Sequence, residues 1–400
     1  MPGRLCTTLL FLLITGLFSC SSLGYARQPD QKSLTIAIGL ENYDFKPLFA
    51  QFTKKTGIGV KVVEFENNSL KSELLLRASN NALPDGIIVP ADYMGLTALD
   101  LSEVPDDWLS THLIDQVRQN IKANGTTLGV PIVFGNHLML YYNRALVSEP
   151  AHSWQQLRTQ QQKLGVNISW NYYEMYWYRA FLGTFGTSLI IDGNANLDTP
   201  AMVNGLRWYK SLKDEAWLDV ECDYDCTVNQ FLSGEVAYTI NGSWMFQRFS
   251  EHFGDKLGVA QLPSLRGEPM RSYFSSHVMA FPDNALSGSK SAELRTLSEF
   301  LQSLPVQSNL WSSINALPVD KRALDMLKIQ GIRQVEALIS TLEHAQPMPN
   351  EAQMAFVWEA MLKGLTRHLA GVLDEHQAAH FMQHIVEKSI SYEQEKKPGQ

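Results

Sequence analysis

The sequence predicts an α/β fold built around a parallel sheet, and three observations carry that reading. From Leu34 to Val89, short β-branched runs alternate with amphipathic helical stretches, a pattern that right-handed crossovers turn into a parallel sheet. The chain has 400 residues and 45% hydrophobic content, enough at about 100–200 residues per domain for two or three domains with real cores. No repeat, low-complexity block or composition break interrupts it, so disorder is not its main theme.

Leu34 to Ile38 reads as the first strand. Phe45, Leu48, Phe49 and Phe52 then recur at i, i+3, i+4 and i+7 until Gly57, and Val60 to Phe65 is the second strand. A helical stretch, Leu70 to Ala78, leads through Pro84-Asp85 to the apolar strand Gly86 to Val89. Strands recur at Val130 to Phe134 and Leu138 to Tyr142, after which helices dominate. Val236 to Ile240, Gly258 to Leu262 and His277 to Phe281 are further strands, and the chain after Ser287 reads as wholly helical.

Leu5 to Phe18 is an uncharged run of 14 residues, too short for a bilayer that needs about 20. It reads as a signal peptide. Two cleavage sites compete. Leu17-Phe18-Ser19-Cys20 resembles a bacterial lipobox, whereas Gly24-Tyr25-Ala26 is a small-x-small site for the ordinary signal peptidase. Cys20 sits directly at the end of the apolar run, which favours a lipid anchor there, with residues 1–19 removed and 20–33 as a polar tether reaching at most roughly 45 Å. Localisation in the periplasm or cell envelope follows. Cys222 and Cys226 are then a neighbouring pair in an oxidising compartment, and a structural disulfide is expected, worth about 2 kcal/mol in the chain-entropy model.

Charged residues make up 18% of the chain, against about a quarter in ordinary globular proteins. Nine Trp, 14 Tyr and 18 Phe supply many flat amphipathic rings, a profile suited to a neutral ligand. With 33 Lys and Arg against 41 Asp and Glu the net charge is −8. No basic cluster stands out, so nucleic acid is not an expected partner. Ligands of open α/β sheets bind beyond the carboxyl ends of the strands, which directs attention to Glu41, Asn42 and Asp44, to Glu66 and Asn67, to Asp92 and Tyr93, to Gly135, Asn136 and His137, and to Asn241 and Trp244. None of these loops is a Gly-rich phosphate cradle.

Five segments in order resemble the extracellular solute-binding proteins of sugar ABC transporters, and most closely their maltose/maltodextrin-binding branch. They are Thr56-Gly57-Ile58 with Val60-Lys61-Val62; Leu83-Pro84-Asp85-Gly86-Ile87-Ile88; Val130-Pro131-Ile132 with Leu140-Tyr141-Tyr142-Asn143-Arg144 and Ser153-Trp154; the run Phe231 to Trp244; and Met348-Pro349-Asn350 with Gln353-Met354 and Trp358. The resemblance implies a two-lobed periplasmic binding protein fold of type II, each lobe a sheet flanked by helices, with a hinge between them. It assigns 34–134 plus 276–328 to lobe 1, 135–275 plus 329–393 to lobe 2, and 394–400 to a polar tail. Closure on ligand is then a population shift that a permease reads.

A sugar ring offers a C–H face to aromatic plates and a hydroxyl rim to carboxylates and amides. In Trp170 to Tyr178, six of nine residues are aromatic, and the family places sugar contacts in this segment. Tyr172, Tyr173, Glu174, Tyr176 and Trp177 are therefore expected on a partly exposed recognition wall, since Tyr hydroxyls suit full burial poorly. The resemblance implies stacking roles for Trp244 and Trp358 and a hydroxyl-binding role for Asp92, with Glu41 and Asn42 on the first-strand loop. Helical spacing puts Trp358 on one face with Met354, Met361 and Leu362, so its edge is expected to be buried. Tyr93 and Asn136 complete the expected ligand set. Four departures from the maltodextrin branch, at Val89, Tyr93, Gly135 and Glu359, leave the sugar's identity open.

His376, His380 and His384 share a helical face, but no carboxylate or Cys motif completes a metal site. No metal or cofactor is expected, and no Walker, G-x-S-x-G or H-E-x-x-H pattern occurs. The leading expectation is a monomeric, non-enzymatic binding component of an ABC sugar importer, with an oligosaccharide ligand and permease subunits as partners. A chemoreceptor is the partner if the protein is sensory. The alternative from another class is an exported carbohydrate-active hydrolase or lyase, suggested by the carboxylates Glu41, Asp92 and Glu174 among aromatic rings.

Overall fold

The computed structural model describes residues 32–395 apart from 40–42, 124, 216 and 352. Cys20, residues 20–31 of the expected tether, Glu41 and Asn42 lie outside the described residues, whereas Ser33, expected to end the tether, opens the first strand. The chain opens as β1 (Ser33–Gly39), α1 (Lys46–Thr56), β2 (Gly59–Phe65), α2 (Asn67–Ser79) and β3 (Gly86–Pro90). As the alternation requires, β1 pairs in parallel with β2 on one side and β3 on the other. Helix α1 buries Leu48, Phe49 and Phe52 on its sheet-facing stripe, each worth roughly 1.5–3 kcal/mol. It stops at Gly57, whose φ of +74° only glycine adopts cheaply and whose N–H donates to the Thr53 carbonyl.

Apart from two small two-residue hairpins, Lys122–Ala123 with Thr126–Thr127 and Ile190–Ile191 with Asn194–Ala195, the remaining strands are β4 (Val130–Gly135), β5 (Leu138–Asn143), β6 (Ile168–Ser169), β7 (Tyr238–Gly242), β8 (Leu257–Ala260), β9 (Tyr273–Ala280), β10 (Leu317–Pro318) and β11 (Gln346–Pro347). They complete two sheets. The first has the order β10-β4-β9-β3-β1-β2, with β11 paired to the start of β9; the second is β8-β5-β7-β6. Strand β9 runs antiparallel between β3 and β4. The last third is therefore not wholly helical, because β10 and β11 each add a two-residue pairing. The strands expected at Val236, Gly258 and His277 are all present, shifted by one to four residues.

Helices α3 (Asp115–Asn120), α4 (Trp154–Leu164), α5 (Met175–Leu182), α6 (Pro200–Ser211), α7 (Tyr224–Ser233) and α8 (Phe246–Phe253) lie in the first two thirds. They are followed by α9 (Ser291–Gln302), α10 (Leu304–Ile314), α11 (Lys321–Ile329), α12 (Arg333–Glu343), α13 (Met354–Leu369) and α14 (Glu375–Glu395). Only Asn136 and His137 separate β4 in the first sheet from β5 in the second. Asn136 takes φ of +51°, a left-handed conformation that asparagine tolerates. The chain returns to the first sheet between β8 and β9, and leaves it again between α11, packed on β10, and α12, packed on β8.

Leu138, Leu140 and Tyr142 of the second sheet join Trp154, Trp170 and α13 in a core that is unusually aromatic. Inside it the Tyr172 and Tyr209 rings stack at 4.6 Å, and each hydroxyl donates to the other residue's carbonyl. The Trp170 indole N–H donates to the Tyr209 hydroxyl. Tyrosine hydroxyls are thus fully satisfied here without water, which removes the penalty for burying them. The expected disulfide joins Cys222 and Cys226 at the start of α7. No helix among the described residues is long and apolar enough to cross a membrane.

Candidate functional site

Beyond the carboxyl end of β3 the chain makes a short 3-10 turn, Ala91–Gly95, that packs against α13. Asp92 on this turn has one carboxylate oxygen, Oδ1, buried and without a hydrogen-bond partner. Burial pushes its carboxyl up to about 6, against the pull of the turn's own backbone and of Lys71. Next to it, half-buried Tyr93 packs on the first core, and burial raises its hydroxyl. Tyr43, after β1, meets the His277 ring edge-on at 5.2 Å. A Cβ at Gly135 would sit 3.4 Å from the Ser243 hydroxyl and 3.6 Å from that of Tyr43, so β1, β4, β9 and the end of β7 converge here. Ser243 Oγ and His277 Nε2 are likewise buried without partners.

The second wall comes from the start of α5. Glu174 Oε2 accepts the N–H of Tyr176 at 2.6 Å and caps the helix. Its carboxyl is nonetheless pushed up to about 7, because desolvation outweighs that one hydrogen bond. Asp92 and Glu174 both act on the Tyr176 hydroxyl, which burial and these two charges raise. Asp92, on the turn after β3 of the first sheet, and Glu174, at the helix start after β6 of the second, thus both act electrostatically on one tyrosine. The Tyr176 ring lies 6.3 Å from Trp244 and 5.9 Å from Trp358. Trp244 is half-exposed; its indole N–H donates to the Tyr224 hydroxyl at 2.8 Å, and Trp177 abuts it edge-on at 6.0 Å.

Trp244 lies over the backbone of Gly242, where an added Cβ would overlap the six-membered ring. Gly242→Ala should therefore displace the indole from its seat, reducing ligand affinity as much as removing the ring would, while β7 pairing survives. Binding calorimetry alongside far-UV circular dichroism checks this; full affinity in the alanine variant would show that the indole's placement does not depend on Gly242.

The aromatic segment divides instead of forming one wall. Tyr172 is fully buried and belongs to the second core, as do Trp170 and Tyr178; its hydroxyl is satisfied by the Tyr209 carbonyl, so the expectation of exposure fails for it. Trp177 is 5% exposed, with its N–H donated to the Ile240 carbonyl, so it supports Trp244 and does not itself form the wall. Tyr173 is half-buried but accepts from Lys213 Nζ at 3.0 Å and lies edge-on to Tyr172. Tyr176 is left as the ring of the segment beside Trp244 and Trp358, with Glu174 capping its helix. Trp358 is 9% exposed, packed with Met354 and Met361 as its spacing predicts, whereas Leu362 is 42% exposed and is not part of that face. Asn136 contributes its backbone, accepting from the Tyr176 hydroxyl.

Tyr43, Tyr224, Ser243 and His277 join the site without having been predicted. Tyr43 sits between Asn42 and Asp44, in a loop whose polar neighbours give no sign that the ring is the part turned to the site. His277 lies inside the all-buried strand β9, where no two-residue alternation marks an inward face. Among the described residues, one group of possible metal ligands comes together, Asp219 with Cys222 and Cys226, and its sulfurs are bonded to each other. His376, His380 and His384 are exposed, and His380 pairs with Asp198 at 2.9 Å.

Two helix-flanked sheets joined by repeated crossings, with carboxylates and rings gathered where they meet, define a clasping binding protein of the type II periplasmic fold. Residues 47–330 match the model of a family described as bacterial extracellular solute-binding protein, and the chain belongs to that family. It is 24% identical over 386 residues, 90% of this chain and 89% of the relative, to a maltooligosaccharide ABC transporter solute-binding lipoprotein of Streptococcus pneumoniae strain R6. It is also 24% identical to the maltodextrin-binding protein MdxE of Bacillus subtilis, over 86% of this chain and 87% of that one. The maltose/maltodextrin-binding domain MalE of Bdellovibrio bacteriovorus, solved bound to maltotriose, superposes with a TM-score of 0.79 at 22% identity, covering 90% of this chain and all of that domain.

Proposed function

We propose that this protein captures an oligosaccharide between its two lobes and delivers it to the membrane subunits of an ABC importer, without transforming it. The observation that carries the reading is the cluster of Tyr176, Trp244 and Trp358, with Asp92, after a strand of one sheet, and Glu174, after a strand of the other, both acting on its tyrosine. Rings suit the C–H faces of a sugar, while the unpartnered Asp92 and Ser243 oxygens suit its hydroxyls. Relatives named for maltooligosaccharides and maltodextrins support the same class, and a galactooligosaccharide-binding relative at 22% identity widens it beyond glucans. Ligand residues in this reading are Asp92, Tyr93, Asn136, Glu174, Tyr176, Trp244 and Trp358, with Glu41 and Asn42, which follow the first strand in sequence. The lobe limits are 34–134 with 276–328 and 135–275 with 329–393.

Melting temperature across maltodextrins, other glucans, galacto-, xylo- and chito-oligosaccharides, polyamines and iron tests the reading. A ligand at 100 times its Kd should stabilise the protein by about 2.7 kcal/mol. Stabilisation by a polyamine or a metal alone would sink the carbohydrate assignment, and new reducing ends after incubation would make the protein an enzyme.

The same reading places a lipid anchor on Cys20, supported by the lipoprotein relative. Cys20→Ala should then move the protein from the membrane fraction to the soluble extract, because several acyl chains on one residue hold far more firmly than one. Intact-mass measurement decides: an unlipidated chain beginning at Arg27 would establish cleavage after Gly24-Tyr25-Ala26 instead.

A further inference from the structure

Helix α5 carries two side chains toward the segments that join the sheets. The Tyr176 hydroxyl lies 2.6 Å from the carbonyl of Asn136, in the crossing from β4 to β5, and 3.1 Å from that of Tyr273, where the chain re-enters the first sheet as β9. One turn further on, Arg179 is 3% exposed and pairs with no carboxylate among the described residues. Its guanidinium lies 4.0 Å over the Tyr273 ring and donates through Nη2 to Gln346 Oε1 at 2.8 Å, while Nε and Nη1 are unpartnered. Gln346 belongs to β11, which pairs with the start of β9. A buried guanidinium without an anion is a costly placement, and this one spans β9 and β11.

We propose that α5 is the relay between cleft and hinge, with the Tyr176 hydroxyl and the Arg179 guanidinium as positioning residues that make lobe closure follow ligand contact. The proposal rests on the binding reading above and adds the residues that transmit it. The Tyr176 ring stands beside Trp244 and Trp358, and its single hydroxyl proton is shared between the carbonyls of the two strand crossings, with the shorter contact at Asn136. A ligand that fixes the ring therefore fixes the backbone at Asn136 and Tyr273. Arg179, on the same helix, fixes β11 against the second crossing. Without these ties the ring still contacts a sugar, but the contact no longer biases the equilibrium between open and closed lobes.

Tyr176→Phe keeps the ring and removes the hydroxyl; Arg179→Gln removes the guanidinium. Tyr209→Phe, which deletes a core hydroxyl in the same lobe, is the control. In the ligand-free full chain, hydrogen exchange at residues 135–138 and 271–274 should rise about tenfold in both relay variants and not in the control, with β1 to β3 unchanged in all. Pulsed spin-label distances between cysteines placed at exposed Lys61 and Lys163 should narrow in wild type with saturating maltotriose. In Arg179→Gln, which lies outside the ligand set, they should stay broad although maltotriose still binds within about threefold. Wild-type exchange at both crossings in Tyr176→Phe, or wild-type narrowing in Arg179→Gln, overturns the relay. Faster exchange at the crossings with no response of the wild type to maltotriose supports the relay's structural ties, and faults the maltodextrin reading instead.

Discussion

Trp244→Ala should weaken oligosaccharide binding by about 2 kcal/mol, near thirtyfold in Kd, with little change in melting temperature. The ring is half-buried, over Gly242 and beside Tyr176 and Trp177, so its removal leaves a space open to solvent and not a sealed cavity of the kind that makes core truncations expensive. What it removes is a plate that covers one face of a sugar, and roughly 80 Å² of apolar contact accounts for the expected loss. The hydrogen bond from the indole N–H to the Tyr224 hydroxyl is lost as well, at a cost of order 1 kcal/mol shared between bound and free states. Calorimetry and thermal melts on the same preparation separate the two roles. A lowered melting temperature with unchanged affinity would make Trp244 a core residue. Trp358 gives a less clean result under the same substitution, because at 9% exposure between Met354 and Met361 it is core and plate together.

What could be read from the sequence, and what could not, follows from how far apart the cooperating residues lie. The parallel β1–β2–β3 unit was legible because its signal is local: β-branched runs, a helical stripe from Phe45 to Phe52, and Gly57 as stop. Asp92 and Trp244 were placed through ordered motifs, and both stand where the sheets meet. The segment Trp170 to Tyr178 was not legible from residue type, since a tyrosine serves equally in a wall or a core. Its environment decides, and for Tyr172 that is the reciprocal pairing with Tyr209, 37 residues away. The same holds for Tyr43 and His277, which meet edge-on only because β9 inserts antiparallel beside β3. Nothing near either residue in sequence signals that meeting.

Glu174→Gln should raise the melting temperature of the ligand-free protein at pH 8, with the gain shrinking on acidification and vanishing below about pH 4.5. The folded state holds the Glu174 carboxyl at about 7, above its ordinary 4.5, and Asp92 at about 6, above 3.8. Between the ordinary and folded values the native state binds more protons than the unfolded chain. The carboxyls therefore favour folding most in acid, and that contribution is lost as pH rises through 6 and 7. Two buried histidines oppose this trend. His137 and His277 are pushed down to about 3 and 4 by burial, so below pH 6.5 the unfolded chain takes up protons that the native state refuses. The opposing pairs leave the wild-type curve shallow between pH 4.5 and 6.5, and the difference between variant and wild type isolates Glu174. At pH 8 that difference is about 1–3 kcal/mol, its upper limit set by a shift from 4.5 to about 7 and its lower by partial solvent access. Glutamine keeps an oxygen to accept the Tyr176 N–H, so the α5 cap survives. A variant less stable than wild type at pH 8, or a gain that does not change with pH, would mean that Glu174 ionises freely in the folded protein. The carboxylate would then already be solvated in the empty cleft, and a sugar hydroxyl would have to displace water to reach it.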